Sequence, residues 1–578
     1  MKKLPLGVET FQEIIENNCV YADKTRFIHE IANSPGKAFF LARPRRFGKS
    51  LLLSSFEALF SGRKELFDGL WIGDNAKAQG NSNNTYNLEE SFPIIHLNFA
   101  MLNSKSPQNL EGGFTHIIQS IARSHDLNIS APSISLLFYD LIRNLKRKYQ
   151  KNVVLLIDEY DAPISYNIDD LELAIKNLQV LKEFYSALKP LIKDLRFVFL
   201  TGVTSYALLW HTGVLNHLID LTMRERFSTI CGFTHEEMDY CFSDYYPFAL
   251  DNLNIINTNG PNDIVAETRP NILERQKILD MYDGYSWDGT TRVLNPYSLL
   301  NYFDNNNIFK TYWAEQESSS KFLTAFVLSN PFHFAKDTLS KLPSESIKIT
   351  DTNSMAPATI LFQTGYMTVD KIVKGEMEVP EYYLRIPNEE IRLKFKSDFT
   401  DFIFETLNIK PEDEIQIFRE AILSENAETI SDLITANFSK LPAQHHQPTE
   451  SRYHGLLFFY FLGLPNVEVL CEPAGSQGTP DLVVKFNDGL YVIIELKYRQ
   501  AEKETDSLSE DKIKDITKRL AEKGLKAIED INYATPYIVD AKKILKMGLG
   551  IYGRGRSQAL LKNGKRPANP KEAKRPRE

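Results

Sequence analysis

The sequence predicts an α/β protein of more than one domain: a parallel sheet flanked by helices in the N-terminal part, a mostly helical middle region, and a compact mixed α/β unit toward the C-terminal end. Short apolar runs alternate with helical stretches through the first part of the chain. A Gly48-Lys49-Ser50 turn follows the first of those runs, and Pro480-Asp481 stands ahead of Glu495-Leu496-Lys497 in a second group of strand-like segments.

At 578 residues the chain is too long for one core, and a length prior gives roughly three or four folding units. Apolar residues at 43% and charged residues at 25% are the balance of a globular protein rather than a disordered or membrane one. No apolar run approaches the ~18 to 20 residues that span a bilayer. Only Leu4 to Val8 separates Met1-Lys2-Lys3 from Glu9, too short for a signal-peptide core. The expectation is a cytoplasmic protein without a membrane partner. Cys19, Cys231, Cys241 and Cys471 are scattered, as reduced buried thiols would be, and show no zinc spacing. The net charge is −8, while residues 554–578 carry nine Lys/Arg against two Glu, a local +7 that leaves about −15 on the rest. This argues against binding nucleic acid over the whole surface and confines such contact to a groove, the tail or metal-bridged phosphates.

In order along the chain, KAFFLA (37–42) reads as a short strand, SLLLSSFEALF (50–60) as a helix, Gln79 to Asn84 as a surface loop and FPIIHLNFA (92–100) as a strand. A helix over Ile134 to Lys148 leads into NVVLLIDE (152–159), whose leucine and β-branched run suits a strand buried on both faces. A helix around 170–190 leads to RFVFLTGV (196–203). Strands alternating with helices imply right-handed crossovers and a covered parallel sheet, the domain 1–232. Residues 233–400 read as a mostly helical lid or connector with apolar pieces such as ILFQTGYMTV (360–369) and polar loops at 251–270. Its aromatic stretch FSDYYPFALDNLN reads as core packing. The domain 401–553 opens on helices, then runs SRYHGLLFFYFLG (helix), VEVLCE, PDLVVKF and LYVIIELKY (strands) and KIKDITKRLAEKGLKAIEDI (helix). Residues 554–578 read as a disordered basic tail.

A phosphate-binding loop wraps backbone N–H groups around the β-phosphate, places a lysine on the β/γ oxygens and sets a Ser/Thr hydroxyl on Mg²⁺. Arg46, Phe47, Gly48, Lys49, Ser50 and Leu51 are the candidate nucleotide-binding run, between a strand and a helix whose N-terminus adds partial positive charge. Arg43 stands where the first glycine of GxxxxGK[ST] belongs. Asp158 and Glu159 end a buried strand and suit, respectively, a Mg²⁺ ligand through water and the general base. Thr201 is the candidate γ-phosphate sensor. Arg43, Arg45 and Arg46 crowd the phosphate approach.

Cleaving a phosphodiester calls for carboxylates gathered around a divalent cation. Asp481 and Glu495, at the ends of neighbouring strands, are candidates to share one Mg²⁺, with the Leu496 carbonyl as a further ligand. Lys497 lies two residues on, on the same face as Glu495, where it opposes phosphate charge and helps deprotonate water. Glu450, just ahead of the helix that carries Arg452 and His454, is a further candidate ligand or water holder. Gly475 and Gly478 place Asp481 in a Gly-rich turn.

The segments YADKT, FLARPRRFGKSLLL, PIIHLNF, VVLLIDEYDAPI, FLTGVT, CGFTHEEM, YDGYSWDG, NPYSLLNYF, ILFQTGYMT and YYLRIPNEEIR together resemble the AAA-ATPase-like family fused to a PD-(D/E)XK nuclease domain. The resemblance implies a P-loop NTPase sheet followed by a restriction-endonuclease-like domain, and ATP as the nucleotide. It implies Lys49 and Ser50 on its phosphates and metal, Asp158 on the metal, Glu159 as hydrolytic carboxylate, and Asp481, Glu495 and Lys497 as the nuclease set. The RPRRFGKS loop without its first glycine is then a family trait. The later helix departs from the family in carrying Asp530 before Ile531 where Gln is usual, which puts water positioning by that helix in question.

The reading that follows is an ATP-regulated, Mg²⁺-dependent nuclease acting on nucleic acid, DNA ahead of RNA, with an oligomer and a trans-acting Arg224 or Arg226 left open. The alternative is a non-cleaving ATP-dependent switch whose C-terminal domain only binds nucleic acid or protein, which the acidic body favours.

Overall fold

A computed structural model of the chain describes residues 1–79, 87–167, 170–205, 218–246, 272–313, 340–343, 357–375, 378–440, 449–471, 479–501, 508–538, 540–553 and 555–564. The loop expected up to Asn84, the polar loops at 251–270, the Gly475/Gly478 turn and the chain after Gly564 lie outside the described residues. Two compact units are formed, Met1–Ser318 with Lys341–Arg392, and Ser319–Ser340 with Leu393–Glu578. Among the described residues no helix is long and apolar enough to cross a membrane.

The first unit holds a five-stranded parallel sheet of β1 (Ala38–Ala42), β2 (Ile94–Asn98), β3 (Val153–Asp158), β4 (Leu195–Gly202) and β5 (Ile219–Asp220), in the order β2-β3-β4-β1-β5. Every residue of β1 and β3 is buried, as unbroken apolar runs in a sheet covered on both faces must be. The crossover helices start where the sequence supplies caps. The side chains of Ser106, Ser133 and Asp170 accept from the N–H groups of Asn109, Leu136 and Leu173, opening the helices Pro107–Ser124, Ile134–Tyr149 and Leu171–Ser186. In the second of these Leu137, Leu141 and Leu145 recur one turn apart and are buried. The helix Lys49–Phe60 lays Phe56 between Phe197 and Phe199 of β4, each ring 5.0 Å away. With β4 set between β1 and β3, the turn after β1 and the carboxylates ending β3 share the carboxyl edge of the sheet, the edge where open α/β sheets bind ligands.

Among the described residues of 233–400 helix exceeds strand, with His235–Cys241, Ile272–Tyr282, Pro296–Asp304 and Pro357–Thr364, but a three-stranded sheet of β6 (Ser340–Pro343), β7 (Thr368–Lys374) and β8 (Pro380–Arg385), in the order β6-β8-β7, is present as well; Lys341–Arg392 belongs to the first unit. The reason for the sheet is visible in β8, where Tyr382 and Leu384 alternate inward. The aromatic stretch that starts at Phe242 is core, as expected, for the part described: Phe242 stacks on Phe303 at 4.7 Å, in a cluster with Tyr246, Tyr282 and Tyr302. The rest of it lies outside the described residues.

The second unit takes up the chain again from Leu393. Its sheet, in the order β13-β12-β11-β10-β9, consists of β9 (Val467–Cys471), β10 (Leu482–Phe486), β11 (Leu490–Arg499), β12 (Lys543–Tyr552) and β13 (Arg556–Gly564). β9, β10 and β11 are antiparallel neighbours, and the helix Glu510–Asp530 links β11 to the parallel β12. The fold runs past 553 because β13 pairs antiparallel with β12 along its length. Of the tail expected from 554, Arg556–Gly564 is therefore strand.

Candidate functional site

The turn between β1 and the helix Lys49–Phe60 turns back on itself at two left-handed residues, Arg46 (φ 65°) and Gly48 (φ 83°). A Cβ at Gly48 would meet nothing within 4 Å, so the positive φ alone asks for glycine there. Lys49 is only 4% exposed, and its Nζ donates to the Pro44 carbonyl (3.2 Å) and lies 3.5 Å from Glu159 Oε1. Ser50 Oγ donates to Asp158 Oδ2 at 2.6 Å, while the other oxygen of Asp158 accepts from the Glu159 N–H (2.9 Å). Asp158 is 2% exposed, and burial first, with Glu159 adding like charge, pushes its carboxyl above the usual carboxylate range against the Ser50 hydrogen bond and Lys49. A buried carboxylate touching the first hydroxyl of the loop helix is a site that gains from a cation. Glu159 itself sits at φ 48°, outside the strand, with its side chain beside the lysine. Leu51 is half-buried in the first turn of the helix.

Three residues read as facing the phosphates are placed otherwise. Thr201 is fully buried and its hydroxyl donates to the Leu41 carbonyl (2.9 Å), tying β4 to β1, so it does not face the nucleotide as the expected sensor. Phe47 is buried 4.8 Å from the Tyr285 ring and 5.6 Å from that of Trp287. Its side chain anchors the turn to the segment YDGYSWDG. Arg43 is 1% exposed, donates to the carbonyls of Ala42, Thr222 and Phe227, and lies 3.9 Å over the Trp287 ring. Burial lowers its guanidinium to about 10. Arg45 and Arg46 do lie at the rim, over the rings of Tyr166 and Tyr297.

The back of the loop is closed by residues that sequence reasoning assigned to a connector. Trp313 Nε1 donates to the Arg45 carbonyl (3.4 Å), Tyr285 donates to the Gly365 carbonyl (3.1 Å), and a Cβ on Gly365 would come within 2.8 Å of Pro44. Behind Arg43 a cavity of about 20 Å³, lined also by Ser205, Asp220, Trp287 and Gln363, has room for about one water. The motif DKT near the start of the chain is also structural. Asp23 accepts from the N–H groups of Thr25 and Trp71, and Lys24 pairs with Glu237 at 2.6 Å.

In the second unit Asp481, just before β10, stands beside Glu495 and Lys497, which lie inside β11 and not at its end as expected. Asp481 Oδ2 accepts from the Leu496 N–H at 2.6 Å, and Lys497 Nζ donates to Glu495 Oε1 at 2.9 Å. Glu495 is 7% exposed, and its Oε2 is buried without a hydrogen-bond partner. Burial first, then the neighbouring carboxylate, raises Glu495; burial raises Asp481 too, against the Leu496 N–H. Burial works against the charge on Lys497, yet Glu495 and Asp481 outweigh it and hold the ammonium above its ordinary value. His454 Nε2 lies 2.9 Å from the Asp481 carbonyl, which only accepts, so that nitrogen carries the proton. Exposed Glu450 accepts from the Tyr498 N–H (3.1 Å). Asp530 is exposed at the end of its helix, while Tyr533, which the sequence reading passed over, is buried.

Among the described residues no group of three or more His, Cys, Asp and Glu side chains is placed to hold a metal. Two carboxylates with waters still suit Mg²⁺, which dehydrates reluctantly and is often held by one or two carboxylates. The orphaned Glu495 oxygen is the feature that a cation would satisfy.

Residues 5–209 match the AAA-ATPase-like family, described as "Predicted AAA-ATPase". The chain is 26% identical over 559 residues to the "Uncharacterized protein in vnfD 5'region" of Azotobacter chroococcum mcd 1, covering 95% of this chain and 96% of that one. Among solved structures, the Aeropyrum pernix ORC2 protein (ADPNP-ADP complexes) is matched at 12% identity over 65% of this chain and 91% of that chain, with a TM-score of 0.21.

Proposed function

We propose that this chain binds and hydrolyses ATP in its first unit and cleaves nucleic-acid phosphodiesters, with Mg²⁺, in its second, the cleavage being regulated by the nucleotide. One observation supports both halves. Asp158, at the end of β3, and Glu495, inside β11, are buried carboxylates, each raised by desolvation and each within a few residues or contacts of a single lysine. Such a carboxylate is stabilised when a divalent cation arrives.

In the first unit Gly48 and the helix start offer N–H groups to the β-phosphate, and Lys49 turns from Pro44 and Glu159 to the phosphate oxygens. That turn frees Glu159 to accept a proton from the attacking water. Ser50 and Asp158, already in contact, are the residues that would hold the nucleotide's Mg²⁺. In the second unit Asp481, Glu495 and the Leu496 carbonyl would hold the metal, which when bound neutralises phosphate charge and acidifies water. Lys497 adds fixed positive charge beside the phosphate. His454 holds the Asp481 backbone, and Glu450 stands at the rim.

Purified full-length protein tests this. ATP turnover should vanish in Lys49→Ala, and a panel of DNA and RNA substrates should be cut with Mg²⁺ or Mn²⁺ by the wild type but not by Asp481→Ala or Glu495→Ala. A wild type that turns over ATP yet cuts nothing on the panel, with and without ATP, removes the nuclease half and leaves the non-cleaving switch.

A further inference from the structure

Strands β10 and β11 pair Val483 with Ile493. Two residues further toward the acidic end, and so on the same face of the sheet, stand Asp481 and Glu495. Tyr533, just past the end of the helix Glu510–Asp530, belongs to one buried cluster with Val483, Ile493, Ile528 and Ala534. The cluster thus includes the residue pair next to the carboxylates, and Tyr533 is 8% exposed. Asp530, from the position where the helix was expected to serve the site, is exposed instead.

The chemistry of the site lacks a neutral donor. Lys497 is tied to Glu495, the Leu496 N–H to Asp481, and the His454 N–H to a carbonyl. Burial first, then the charges of Glu495 and Asp481, keeps the Tyr533 phenol above its ordinary value, so it stays an O–H and approaches an anion as a donor.

We infer that the Tyr533 hydroxyl donates a hydrogen bond to a non-bridging oxygen of the phosphate held at Asp481 and Glu495, making Tyr533 a substrate-contacting residue. The inference rests on the reading of this site as a phosphodiester-cleaving one. It also supplies from the loop after the helix what Asp530 does not.

Tyr533→Phe keeps the ring and removes only the donor, and thermal melting checks that it folds as the wild type does. In full-length protein with Mg²⁺, the variant should lower kcat for oligonucleotide cleavage about tenfold or more, the worth of a hydrogen bond to a charged group. With Ca²⁺ as a probe metal, it should bind an uncut oligonucleotide about tenfold more weakly, while Ca²⁺ itself binds as to the wild type in calorimetry. Unchanged kcat with unchanged oligonucleotide affinity overturns the inference, and so does a loss of Ca²⁺ binding, which would mean that Tyr533 shapes the carboxylates instead. If the wild type does not cleave, the nuclease reading fails separately. The Ca²⁺-dependent oligonucleotide affinity then decides: weaker binding by Tyr533→Phe upholds the contact, whereas equal binding or none overturns it.

Discussion

The Arg43 guanidinium lies 3.9 Å over the ring of Trp287, buried to 1% exposure. A residue that replaces the first glycine of a phosphate-binding loop is thereby turned away from the phosphates and into the protein. Its donors satisfy three carbonyls from the β1 end and the segment after β5. The loop is then held by its side chain and not by a tight glycine turn.

Restoring the usual glycine should therefore harm the protein. Arg43→Gly removes three hydrogen bonds to carbonyls and the stack on Trp287, a loss on the order of 3 kcal/mol. Arg43→Lys should recover little of it, since an ammonium lacks the planar fork that reaches several carbonyls at once. Thermal melting of both variants checks this. Melting of Arg43→Gly at or above the wild-type temperature would show that the guanidinium is dispensable.

Lys49 and Glu159 should separate binding from turnover. Lys49→Ala removes the cation that meets the phosphates, so ATP binding, read by a fluorescent analogue, should weaken together with hydrolysis. Glu159→Gln keeps the side-chain shape and loses the proton acceptor, so binding should persist while phosphate release falls by about 10² to 10⁴. Equal hydrolysis in wild type and Glu159→Gln would assign the base elsewhere.

The strands that carry the candidate site residues were legible because their signal is local. The apolar runs beside Gly48-Lys49-Ser50, before Asp158-Glu159 and around Asp481 and Glu495-Leu496-Lys497 stand out in the sequence, and the strands form where those runs lie. What was not legible depends on partners distant in sequence. Nothing next to Arg43 announces Trp287, and nothing next to Thr201 announces that Leu41 takes its hydroxyl. β13, RSQALLKNG, has no β-branched or aromatic residue to announce a strand, and it pairs along its length with β12. Tyr533 carries no motif and gains meaning only from the pairing of Val483 with Ile493 beneath it.

The glycines of β12 make another such dependence testable. A Cβ at Gly548 would sit 2.0 Å from the Ala521 carbonyl oxygen and 2.6 Å from the Leu525 nitrogen, both backbone atoms of the helix Glu510–Asp530. The helix would have to lift from the sheet. Gly548→Ala should destabilise the second unit by about 1–3 kcal/mol or more without touching a charged group. Since Gly548 pairs with Glu495, the same variant should also weaken metal binding. Calorimetric titration with Mn²⁺ beside thermal melting checks both effects.

Proton uptake by the carboxylate pair sets the last prediction. Burial raises both Asp481 and Glu495 above their unfolded values, so between the ordinary carboxylate range and those raised values the folded chain binds more protons than the unfolded one. Stability of the metal-free protein must then fall as pH rises through that window, the reverse of a salt-bridged acid. Mg²⁺ or Mn²⁺ takes the place of the protons, so the rise in melting temperature on adding metal should be small near pH 4 and grow toward pH 7. Glu495→Gln should melt higher than the wild type in metal-free buffer at pH 7, because it no longer buries a charge, and should lose the metal-induced rise. A metal-induced rise that is flat with pH, or that survives in both Asp481→Asn and Glu495→Gln, would place the cation away from this pair.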